Sequence, residues 1–224
     1  MATVPVATPA RAGHNKQYSN DVAIFFWGGK TGAHVKAISG FKARASVRGS
    51  EFKGFLAANA EFDAARACHQ KLAGFWNQES RVYLVGHGDW ELCTLAGHSP
   101  DKIALFLRAA QMPRVKTVSV VACDLGRDAK WKPGTALAQH CETSFGGQLY
   151  KHIHIYCDKL AVRTLNTAVH PRTGQKYTRL NKAENWQNHQ DETKIVFSAG
   201  GYQVISPWLD QLDDIIDEIN DMIK

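Results

Sequence analysis

Two stretches of this chain, RVYLVGHG (Arg81–Gly88) and VSVVACD (Val118–Asp124), are runs of strand-type apolar residues that each end at a reactive side chain. The first ends at His87 and the second at Cys123. A thiol can attack a carbonyl carbon, and an imidazole can manage the protons of the thiol and of a leaving amine. Gly88 suits the same chemistry, because without a Cβ its backbone N–H can approach the oxyanion that forms on the attacked carbonyl. Taken singly, these residues have ordinary readings: a His after a buried strand is usually a hydrogen-bonding residue, and a buried Cys a small hydrophobe. The conjunction carries the chemical reading, since both stand at strand ends with a glycine beside the His.

Such a pair needs a scaffold that brings two strand ends together, and the hydrophobic pattern predicts one. VAIFFW (Val22–Trp27) reads as a strand buried on both faces, followed by a Gly28-Gly29 turn. Glu51–Trp76, rich in Ala and Leu at three- and four-residue spacing, predicts helix in one or two pieces. RVYLVG is the next strand. SPDKIALFLRAAQM then predicts a helix, with Ser99 as N-cap, Pro100 at the first helical position and Asp101 at the positive end of the dipole. Val115–Ala122 is a third strand, Gly134–Phe145 a helix and His152–Cys157 a fourth strand. This alternation is that of an α/β domain with a mostly parallel sheet, where ligands and catalytic groups gather past the carboxyl ends of the strands. Neighbouring strands RVYLVG and VKTVSVVA would therefore present His87 and Cys123 side by side.

The remaining segments bound the domain. Residues 1–19, small and polar with two prolines, predict a flexible leader. Residues 20–206 form the body, with a hairpin at about 159–197 turning at HPRTG, and 207–224 an acidic amphipathic helix with Trp208, Leu212, Ile215, Ile216, Ile219 and Ile223 on one face. No apolar run reaches the roughly 20 residues that span a bilayer, and the start lacks the apolar core of a secretory signal. Five cysteines without a CxxC pair suggest neither a disulfide framework nor a zinc ribbon. A zinc reading of His140, Cys141, His152, His154 and Cys157 fails on spacing, which matches no standard site. The net charge of +6 is uneven: residues 207–224 sum to −5, which leaves +11 on residues 1–206 and implies an anionic partner.

The ordered series RVYLVGHG, TLAGHSPDKIALFL, VSVVACDLG, DKLAVRT, GQKYT, NKAEN and KIVFS, from about Arg81 to Ser198, resembles the caspase-like (clan CD) peptidases. Within them it resembles the cysteine protease domain of the multifunctional autoprocessing RTX toxins, peptidase family C80, and more distantly that of the large clostridial glucosylating toxins. The resemblance implies a three-layer sandwich with a central, mostly parallel sheet flanked by helices and a C-terminal hairpin, the β-flap. It implies Cys123 as nucleophile, His87 as general base and acid, and Gly88 with the Cys123 backbone N–H as oxyanion donors.

It further implies delivery by a bacterium, action in a host cytosol and allosteric activation there by inositol hexakisphosphate, with no metal. Matching places Arg81, Lys176, Lys182 and Lys194 at activator-contacting positions, with Lys42 and Arg179 as weaker matches. Lys159 to Lys194 carries seven basic residues against three acids, in keeping with a polyanion site. Three positions depart from the family. Cys157 stands where an arginine is usual, Gln175 where a basic residue precedes the matched lysine, and Asp124 where a small polar residue follows the nucleophile. The first two would lower affinity for the activator, and the acid would favour a basic residue in the substrate over the family's leucine. The expected activity is that of a cysteine endopeptidase cutting either its own leader near Ala10–Ser19 or a host protein in trans. An activator-independent clan CD peptidase and a catalytically dead polyphosphate-binding module stay open beside it.

Overall fold

The computed structural model describes residues 18–26, 32–89, 91–122, 125, 143–163, 167–169, 176–178 and 194–205. Strand β1 (Asn20–Phe26) leads to helix α1 (Gly32–Val47), β2 (Glu51–Ala57) and α2 (Phe62–Leu72). Then follow β3 (Arg81–Gly86), a small hairpin of β4 (Gly88–Asp89) and β5 (Thr94–Leu95), α3 (Pro100–Ala109) and β6 (Val115–Val121). The chain continues through α4 (Phe145–Ile153), β7 (Cys157–Arg163), a second hairpin of β8 (Thr167–Val169) and β9 (Lys176–Thr178), and finally β10 (Lys194–Ser198) and β11 (Gly201–Ile205).

Seven strands form one sheet in the order β11-β10-β7-β6-β3-β1-β2. Pairing is parallel from β2 across to β7 and antiparallel for β10 and β11. The continuous apolar runs of β1, β3 and β6 follow from coverage of both faces. Val22, Ile24, Phe26, Val82, Leu84, Val118 and Val120 pack on the side of α2, α3 and α4, with Cys68, Leu72, Ile103, Phe106 and Leu149. Ala23, Phe25, Tyr83, Val85 and Val121 pack on the other side with Phe41 of α1. The result is the expected α/β sandwich of three layers.

Several boundaries differ from the sequence expectation. Glu51–Ala57, expected as helix, is strand β2, with Phe55 and Ala57 buried in alternation; the helical spacing belongs to Phe62–Leu72 alone, and edge pairing with β1 decides the rest. The strand expected at His152–Cys157 is instead the end of α4 and a turn, so that only Cys157 lies in a strand. Local chemistry explains this, because Ser144 accepts from the Gly147 N–H at 3.2 Å and caps a helix that starts after the one expected at Gly134–Phe145. The ends of the expected flap, Lys159–Arg163 and Lys194–Phe197, are main-sheet strands, and the β8–β9 hairpin between them pairs only with itself and lies against α1. Tyr18 and Ser19, read as leader, are packed into the domain: Tyr18 is buried, and Ser19 N–H donates to the Glu79 carbonyl. Most of the helix expected at Gly134–Phe145, and the whole of that at 207–224, lie outside the described residues. Among those described, no helix is long and apolar enough to cross a membrane.

Candidate active site

The parallel pairing of β3 with β6 runs to Val85↔Val121. β3 runs one residue further, with Gly86 still paired to Phe26 of β1, while β6 ends at Val121; His87 follows Val85 in sequence by as many residues as Cys123 follows Val121. Cys123 and Asp124 lie outside the described residues; Ala122 and Leu125 on either side are buried. His87 is held by its backbone, whose carbonyl accepts from the Ala96 N–H at 2.6 Å, while its side chain is exposed. Gly88 opens β4, half-buried, and pairs with Leu95.

The hairpin that holds His87 is unusual in its backbone. Cys93 and Ala96 have φ of 55° and 52°, followed by Gly97 at 78°, and left-handed non-glycine residues cost roughly 1–2 kcal/mol each. Asp89 fastens the turn by accepting from the Leu92 N–H at 3.0 Å. Gly86 sits beneath it, where a Cβ would meet Leu95 Cδ1 and the Phe26 carbonyl oxygen at 3.0 Å. The strained turn thus closes directly on the residue before His87.

Of the described thiols, two are not suited to attack. Burial pushes Cys68 and Cys157 each up to about 12, the latter helped by Asp158, so both stay protonated near neutrality. Cys93 is half-buried, with its Sγ 3.8 Å from the Thr143 carbonyl oxygen.

At the opposite, amino end of β3 the structure gathers cations. Arg81 donates from Nη2 to the Tyr18 hydroxyl and from Nη1 to the Tyr83 hydroxyl at 3.4 Å, and Arg48 Nη1 donates to that same Tyr83 oxygen at 3.2 Å. The Arg81 guanidinium lies over the Tyr18 ring, 3.9 Å from its centroid. Arg44 belongs to the group: burial lowers its pKa, and the charges of Arg48 and Arg81 lower it further, against the Tyr83 phenol. For Arg81 burial acts in the same sense, but the Tyr83 and Tyr18 phenols outweigh it and hold the charge. Among the described residues neither Arg48 nor Arg81 has a carboxylate at ion-pair distance. Asp21, the cross-strand neighbour of Arg81, is buried and bonded to Ser50 instead, at 2.9 Å.

Of the residues matched to activator positions, Arg81 is at the centre of this cluster and Lys42 is exposed on α1, the helix that carries Arg44 and ends just before Arg48. Lys176 lies in β9, whose partner strand β8 rests on α1. Lys194 pairs with Arg163 at the far end of β10, three strands across from β3, so the main sheet itself does not bring it beside Arg81. Arg179 and Lys182 are outside the described residues. Sequence reasoning missed Arg44, Arg48, Tyr18 and Tyr83. The spacing of Arg44 and Arg48, one helical turn apart, was the available signal.

No curated protein and no solved structure matches the chain. The Peptidase C80 family model does match, over residues 54–178, which takes in β3 with His87, the strained hairpin, β6 and the segment holding Cys123. That match spans more than half of the chain and falls on a mostly parallel sheet of this topology, so the chain belongs to the peptidase C80 family and is a cysteine endopeptidase.

Proposed function

We propose that Cys123 is the nucleophile and His87 its base, and that a polyanion bound at the arginine cluster switches the enzyme on. The observation that carries the catalytic half is the parallel register of β3 on β6, whose last pair is Val85↔Val121. The Cys123 thiolate adds to the scissile carbonyl carbon, and the Gly88 and Cys123 N–H groups receive the oxyanion. His87 gives its proton to the leaving amine as the C–N bond breaks. It then takes a proton from the water that hydrolyses the thioester, returning the free thiol.

The activator half rests on Arg44, Arg48 and Arg81, gathered about the Tyr83 and Tyr18 phenols. Inositol hexakisphosphate, whose phosphates match such a cluster, is the activator proposed, with Lys42 of α1 and Lys176 of β9, beside the matched Arg179 and Lys182, as its further contacts; Lys194, three strands away in the sheet, is left out of that set. The activator suits action by a bacterial toxin or effector inside a eukaryotic host, on its own chain or on a host protein.

Peptide hydrolysis with and without inositol hexakisphosphate, in the parent chain, Cys123→Ala and His87→Ala, tests this. Cys123→Ala should lose all turnover and keep the thermal shift given by the ligand, and His87→Ala should lose about 10²–10⁴-fold in rate. The ligand should raise both the turnover and the melting temperature of the parent, less so at high salt. Turnover surviving in Cys123→Ala would remove the nucleophile. Full activity without the ligand would leave a peptidase that needs no activator.

A further inference from the structure

Tyr18 stands two residues ahead of β1 and is buried within the arginine cluster. Its ring, 6% exposed, lies between the Arg81 guanidinium at 3.9 Å and the Lys116 ammonium at 5.9 Å from its centroid. Its hydroxyl accepts from Arg81 Nη2 and shares a hydrogen bond with Thr117 Oγ1 at 3.2 Å. Arg81 has its other terminal nitrogen on Tyr83, and its Nε, buried, has no hydrogen-bond partner. One face of this guanidinium and one N–H on each terminal nitrogen are thus taken by phenols, on the group whose parallel N–H donors an oxyanion would use.

A charge-assisted hydrogen bond is roughly twice as strong as a neutral one, and a bidentate oxyanion adds a second in fixed geometry. We propose that Tyr18 is a resident competitor at Arg81: a multiply charged oxyanion that engages Arg81 takes the Nη2 donor from Tyr18 and unseats it. Ser19 is loosened with it, because it is the next residue and its N–H bond to the Glu79 carbonyl ties the chain just ahead of β1 to the body. By linkage, the seated segment lowers affinity for the anion by the same factor that the anion loosens the segment. This inference rests on the anion reading of the cluster and adds to it the regulation of the chain's own N-terminus.

The test uses full-length chain carrying Cys123→Ala, so that no self-cleavage intervenes, with inositol hexakisphosphate as the probe. Tyr18→Phe keeps the ring and removes only the competing oxygen. A net hydrogen bond of about 0.5–1.5 kcal/mol corresponds to binding about 2- to 10-fold tighter in that variant, measured by calorimetry. In the parent, hydrogen exchange at the Ser19 amide should quicken as the ligand saturates, while β3 and β6 become more protected. If the ligand binds the parent and Tyr18→Phe binds it equally or more weakly, with Ser19 still protected, Tyr18 is part of the platform and the competition is overturned while the anion site stands. If neither chain binds the ligand and Arg81→Ala is indistinguishable from both, the anion reading falls and the competition with it.

Discussion

A methyl group added at position 86 would sit 3.0 Å from the backbone oxygen of Phe26, an atom that cannot turn aside, and 3.3 Å from Ala96 Cβ. Gly86→Ala is therefore expected to cost about 1–3 kcal/mol as overpacking. It should also push the β4–β5 hairpin away and His87 with it. A shift near 1 Å in a reacting group costs about 10²-fold, so kcat should fall well beyond what the lowered melting temperature explains, with KM little changed. Thermal melts and steady-state kinetics on the same preparation check this, and an unchanged kcat would mean that the hairpin does not set the position of His87. At this scale the sequence was most informative where a residue type is rare in its setting. A strand ending in His-Gly is visible in any reading of the chain. The phenol–guanidinium cluster was not: Arg81 stood out only by its matched position and Arg48 only by its spacing from Arg44, and both meet Tyr18 or Tyr83 through tertiary folding alone.

Among the elements, α4 shows why local pattern misled. Two adjacent glycines after Ser144 argue against a helix start, each costing about 0.8–1.0 kcal/mol relative to alanine. The structure explains the first of them: a Cβ on Gly146 would lie 2.7 Å from Val162 Cγ2 on β7 and 3.0 Å from the Phe197 ring on β10. Gly146→Ala thus sets a gain of about 1 kcal/mol in propensity against a clash with a β-branched side chain that has little rotamer freedom. The clash should win, with net destabilisation of about 1–3 kcal/mol in denaturant titration. A more stable variant would show that α4 can ride outward without loss. The same packing accounts for the misplaced fourth strand. His152–Cys157 alternates as a strand does, but a helix docked on β7 and β10 buries Phe145, Leu149 and Ile153 at helical spacing, and that burial decides. The order of strand and helix was legible; the points at which one becomes the other depended on contacts between segments far apart in sequence.

Over the whole molecule, the sheet separates two ends by the length of a strand. From Glu79, which holds Ser19, along β3 to His87 is about 26 Å at about 3.3 Å per residue. The chain ahead of Ser19 is a tether of known maximum reach, at most about 3.3–3.6 Å per residue. With Tyr18 in place, a bond presented to the catalytic edge by the same molecule must then lie about eight or more residues before Ser19, at or ahead of about residue 11. Bonds between there and Tyr18 would then be too close to the anchor to reach that edge. Intact-mass measurement of the products in dilute solution, where encounters between molecules are rare, should find any self-cleavage at or before that point. A cut closer to Tyr18 would mean that the anchor lets go before the chemistry begins, so the cleavage position reports whether the tether was fastened at the moment of cutting.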